Sequence, residues 1–231
     1  MDDVPSAQRA LERAWVLSCL VARGSIEGKD DVKGREATRR AVLSWFDAMG
    51  LQTEAEPSEL AILRTRIGKL EPQTAIDCTW ACEAIVVLLW ALHEAEVGPA
   101  HAQVPDPRAI VGATGYLDEA GARELAARAS MRPQAEIAAY AEQARNVHWR
   151  LRRLRAGVAA YDCTRVFDDE APERVAPVEL VEGDLAFDGT PVGRVARPVI
   201  ASALSIAAQR QRASSWLEGD AQLYSEVVLD T

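Results

Sequence analysis

The sequence is short of basic charge, of long apolar runs and of every compact catalytic signature. Its 231 residues carry 35 Asp and Glu against 26 Lys and Arg, a net charge of −9. Nucleic-acid binding takes most of its affinity from neutralising phosphates, so an acid excess argues against that class unless a local patch overrides the total. The longest uninterrupted apolar run, Ala84 to Leu92, has nine residues, whereas a membrane-spanning helix needs roughly 20. The opening M-D-D-V-P-S is acidic and polar, where a secretory signal is basic and then apolar. G-x-S-x-G, G-x-x-x-x-G-K-[ST] and H-E-x-x-H are all missing. Cysteine is sparse: Cys19, Cys78, Cys82 and Cys163. The expectation is a cytoplasmic protein with reduced thiols and no membrane contact.

Apolar material is plentiful. Hydrophobic residues make up 48% and charged residues 26%, enough for a full core and too apolar for a disordered chain. Leu11, Trp15, Cys19 and Ala22 recur at helical spacing, and Gly24 is the expected stop of that first helix. Val42, Trp45, Phe46 and Met49 mark a second helix over about 36–49. Pro57, Pro72, Pro133 and Pro198 each stand where a helix first turn begins, and Asp118 opens another helix. Residues 157–176 follow no clear pattern. Asp188-Gly189, between short apolar segments, signals a hairpin. The expected fold is mainly α: a compact multi-helix domain around a buried central helix at about 73–95, with one small β-hairpin near 178–195. A single domain, 1–231, is expected, with that hairpin as a small insertion before the last helix.

The central run, D-C-T-W-A-C-E-A-I-V-V-L-L-W-A-L-H-E from Asp77 to Glu94, raises the question of a site. Turned at 100° per residue, its middle is apolar all round, as in a helix enclosed by neighbours. Cys78 and Cys82 share a face, but zinc needs two more ligands. His93 lies about 16 Å further along the axis at the standard rise. The cysteines therefore read as core thiols, and neither a metal nor a cofactor is expected. Glu83 sits among apolar neighbours, and a buried carboxylate must be paired or shift its pKa. The expected arrangement is a structural ion pair between Glu83 and Arg150. In an enzyme, Glu83 would instead be an acid or base lining a pocket with His148, Arg150 and Asp77.

Residues Arg145 to Arg155 include five arginines and His148. Arg150, Arg152 and Arg153 point in different directions, which does not suit a nucleic-acid groove. The expected partners of these arginines are Asp168, Asp169, Glu170 and Glu173. His93, Glu94, Glu96 and His101 match no metal spacing and read as a solvated helix end.

Several stretches recur together in a known family: R-A-W-V-L-S-C-L-V-A-R-G, A-V-L-S-W-F-D-A-M-G-L, D-C-T-W-A-C-E-A-I-V-V-L-L-W-A-L, H-W-R-L-R, D-G-T-P-V, and A-Q-R-Q-R-A-S-S-W-L-E-G. In this order they resemble family 4272 of the catalogued bacterial domains of unknown function. The resemblance covers most of the chain. It implies a soluble bacterial protein and assigns no activity, cofactor or site residue.

The functional expectation is a non-catalytic protein-interaction protein, an immunity-type or regulatory partner of a basic protein. Its negative charge would speed association with such a partner. Two alternatives stand beside it: an enzyme of unknown type with a pocket at Glu83, and a weak nucleic-acid contact through Arg145–Arg155.

Overall fold

The computed structural model describes residues 4–28, 30–167 and 178–229. The chain is mainly helical with a small antiparallel sheet late in the sequence. Where the sequence suggested one domain, the chain divides into two compact units. The first is Pro5–Ala95 with Asp106–Met131. The second is formed by the described residues of Met1–Val4, Glu96–Pro105 and Arg132–Thr231.

The first unit is built from α1 (Ala7–Ser25), α2 (Val32–Ala48), α3 (Pro57–Arg64), α4 (Pro72–Trp80), α5 (Cys82–Ala91), α6 (Pro107–Ala113) and α7 (Glu119–Arg128). The apolar stripes behave as their spacing implies: Leu11, Trp15 and Cys19 are buried on α1, and Val42, Trp45 and Phe46 on α2. The central run is nearly continuous, with a tight turn at Ala81 where α4 passes into α5. Every residue from Cys82 to Leu92 is buried. Pro72–Ala91 taken together is 20 residues long and apolar enough to cross a membrane. Its apolar half is buried, with α1 packed along it and α6 against it.

One local expectation changes. Gly24 does not stop α1, which runs on to Ser25. A Cβ at Gly24 would lie 2.5 Å from the Ala75 carbonyl oxygen, so this glycine lets α1 and α4 approach closely. Asp106-Pro107-Arg108 opens α6. Asp106 accepts from the Arg108 and Ala109 amides at 2.9 and 3.2 Å, and Pro107 occupies the first turn.

A buried ionic cluster joins α1 to the start of α3. Arg13, with no exposed side-chain area, donates to Glu54 and Glu59 at 2.9 Å each and lies 4.0 Å from Glu56. Glu59 also accepts from the Glu56 amide at 2.8 Å, closing a capping box at Pro57. Burial pushes the Glu59 carboxyl above its ordinary value, against the opposing charge of Arg13.

The second unit pairs two long helices, α8 (Gln134–Arg155) and α9 (Arg197–Glu218), which pack along each other. Between them in sequence lie β1 (Glu179–Val181), β2 (Asp184–Phe187) and β3 (Thr190–Pro191), an antiparallel meander rather than a single hairpin. Leu180 faces Leu185 in the first pair and Phe187 faces Thr190 in the second. Asp188-Gly189 forms the expected two-residue turn, with φ of 48° and 77°. Glu182-Gly183 forms a second one, with φ of 55° and 80°. Positive φ at both central positions matches the twist of the strands, and glycine supplies the second at no steric cost. Val147, Leu151, Phe167, Leu185, Val192 and Ala203 lie in the core of this unit.

Candidate functional site

Arg150 and Asp184 form a buried ion pair that the sequence reading did not anticipate. Arg150 Nε and Nη2 donate to the two Asp184 carboxylate oxygens at 2.6 Å each. Its remaining donors reach the carbonyls of Val158 and Ala159 at 3.1 and 3.2 Å. Glu83 was the expected carboxylate for Arg150; the carboxylate found there is Asp184. Glu83 itself is fully buried in the first turn of α5, in the other unit. Asp77 is exposed and accepts from Gln73 at 2.8 Å. Glu83 thus lies in the core of the first unit; in the second, Arg150 sits in a structural fork and His148 on a groove.

The four cysteines are free and buried. Cys163 donates weakly to Asp184 at 3.4 Å. Burial pushes the Cys78 and Cys163 thiols up to about 11, and raises Cys19 as well. The thiolate is the nucleophile, so these side chains are inert at neutral pH. A thiol-specific disulfide reagent is therefore expected to label the native chain slowly and all four thiols at once in denaturant. Rapid labelling of one native thiol would contradict this.

The arginines of α8 separate by face. Arg145 pairs with Glu218 and lies 3.8 Å from Asp220. Arg153 stacks over Trp149 and Tyr161, 5.7 and 6.0 Å from the ring centres. The acids Asp168, Asp169, Glu170 and Glu173 lie outside the described residues. Of the acid–histidine cluster, Glu94 pairs with Arg128 at 3.0 Å, and His101 stacks on Phe187 at 4.5 Å. Among the described residues no group of His, Cys, Asp and Glu could hold a metal.

His148, Arg152 and Arg155 are what remain on α8, and they line one groove of about 710 Å³. Spaced i, i+4 and i+7, they fall within about 60° of one another around the helix. The opposite wall is aliphatic, formed by Ala201, Leu204 and Ala208 of α9, with the hydroxyl of Ser205 beside them. Leu229 closes one side, and its carbonyl accepts from Arg152 at 2.6 Å. His148 Nδ1 lies 2.5 Å from Gln211 Oε1. That oxygen only accepts, so Nδ1 carries the proton and Nε2 is the basic nitrogen. Burial, aided by the charges of Arg152 and Arg212, holds the His148 pKa below its ordinary value despite the Gln211 hydrogen bond. His148 is therefore neutral at physiological pH. Among the described residues, the buried Nε of Arg212 and Nε2 of Gln211 have no hydrogen-bond partner.

The fold and this groove define a mainly helical protein with a local cationic cleft on an acidic chain. The chain belongs to the family described as Domain of unknown function (DUF4272), whose model matches residues 2–162. The match includes all of α8 but ends before the sheet and α9, so D-G-T-P-V and A-Q-R-Q-R-A-S-S-W-L-E-G lie beyond it. Comparison with curated proteins and with solved structures finds no match.

Proposed function

We propose that the protein acts by binding another protein, as an immunity-type or regulatory partner in the cytoplasm, and carries out no chemistry of its own. The observation that carries this reading is the fate of its reactive side chains. Arg150 and Asp184 are locked in a fork, Arg13 holds three glutamates, and the thiols are buried. A net charge of −9 suits a basic partner surface, which it would attract from a distance. The test is recovery of the tagged chain from its own cells at native abundance, read by mass spectrometry. One partner at stoichiometric level is expected, and a solitary chain would sink the reading.

A second reading is an enzyme whose base is His148 rather than Glu83. It is favoured by the Nδ1–Gln211 contact, which orients a neutral imidazole on the wall of an open groove. A solitary chain in the recovery experiment would move weight to this reading.

A further inference from the structure

We infer that the α8–α9 groove is a binding site for an aliphatic anion: a carboxylate or phosphate head on an alkyl body. The argument begins with charge. The chain has nine more acidic than basic residues, yet around His148 the balance is reversed. Arg155 lines the groove, and Arg212 stands close enough to depress the His148 pKa. Neither meets a carboxylate within the described residues, and the Nε of Arg212 is buried without an acceptor. Arg13, Arg145 and Arg150, by contrast, each hold an acid. Arg155 thus presents on the groove wall a guanidinium that meets no acid, and charge-assisted donation to an anionic oxygen is open to it.

The walls give the rest of the ligand. Opposite the cations are Ala201, Leu204 and Ala208, with no aromatic ring. An aliphatic wall of this kind buries an alkyl chain without desolvating a polar group. The volume falls within the range of small-molecule sites. Leu229 already presents the same combination: an aliphatic side chain on the groove and a carbonyl oxygen on Arg152. It is an internal stand-in for the ligand. The site would serve either reading of the function, as a regulatory or a substrate pocket.

The experiment is isothermal titration calorimetry of the full chain with octyl phosphate, octanoate and inorganic phosphate. One of the two alkyl anions is expected to bind, and the tighter of them names the head. Inorganic phosphate should bind at least about tenfold more weakly, because each buried methylene adds to affinity. Arg155→Glu, an exposed change that leaves the core intact, should weaken the tighter alkyl anion by at least about tenfold. Arg123→Glu, an equal charge reversal on the exposed face of α7, should leave its affinity unchanged. No heat with either alkyl anion, equal affinity for inorganic phosphate, or full binding by Arg155→Glu would each overturn the inference.

Discussion

Asp184→Ala is expected to lower the free energy of unfolding by about 3–5 kcal/mol, because it leaves the Arg150 guanidinium buried and uncompensated. Arg150 has no exposed side-chain area, and its fork to Asp184 fixes β2 against α8. The same arginine also donates to the carbonyls of Val158 and Ala159, neutral acceptors that do not balance its charge. Urea denaturation followed by circular dichroism measures the loss. Arg150→Met with Asp184→Leu separates its causes: removing both charges should restore most of the stability, since a buried ion pair replaced by apolar groups is often neutral. If the double variant is as unstable as the single one, the fork matters through its geometry and not through the orphaned charge. The pair also sets a pH dependence. Burial pushes the Asp184 carboxyl up, but the hydrogen bonds and charge of Arg150, with the Cys163 and Leu185 contacts, carry it below its ordinary value of 3.8. A depressed carboxyl contributes stability that is present above the unfolded value and lost as pH falls through the folded one. The wild-type chain should therefore lose this contribution only below about pH 4, and the Asp184→Ala chain should lack that step.

How much of this was legible depended on the range of the signal. The enclosed helix could be read because its evidence is local: nine apolar residues on all faces have nowhere to go but a core. Asp188-Gly189 could be read for the same reason. Glu182-Gly183 makes an equivalent turn but lacks the Asn or Asp that signals one, so a meander was taken for a hairpin. The need for buried charges to pair was also legible, but not which pairs form. Asp184 lies beside a turn glycine and looks like a solvated turn residue, yet it is the partner of Arg150. The groove was half legible. His148, Arg152 and Arg155 share a face by simple helical arithmetic, which a count of five scattered arginines conceals. Its aliphatic wall, and the burial that depresses His148, come from α9 packing on α8, and no spacing within one helix announces that.

The cluster around Arg13 should respond to mutation with the opposite pH signature. Arg13→Met keeps most of the apolar stem and removes the charge that Glu54, Glu56 and Glu59 face, while Arg9 still reaches Glu54 from 3.0 Å. At neutral pH the expected loss is about 3–5 kcal/mol, the cost of breaking a buried pair from one side. Glu59 decides how that loss varies. Burial already holds its carboxyl above the ordinary 4.5 while Arg13 pulls the other way. Without Arg13 only the upward effects of burial and of Glu56 oppose the Glu56 amide. A raised carboxyl makes the folded state bind a proton that the unfolded chain has released, so stability falls as pH rises through that interval and returns on acidification. The deficit of Arg13→Met should accordingly be largest near pH 7 and shrink toward pH 4.5, where the Glu59 carboxyl takes up a proton. Urea titrations of both chains at the two pH values measure it. A deficit equal at both would mean that Arg13 stabilises α1 against α3 by the packing of its stem, and that the carboxylates find enough water or other donors without it.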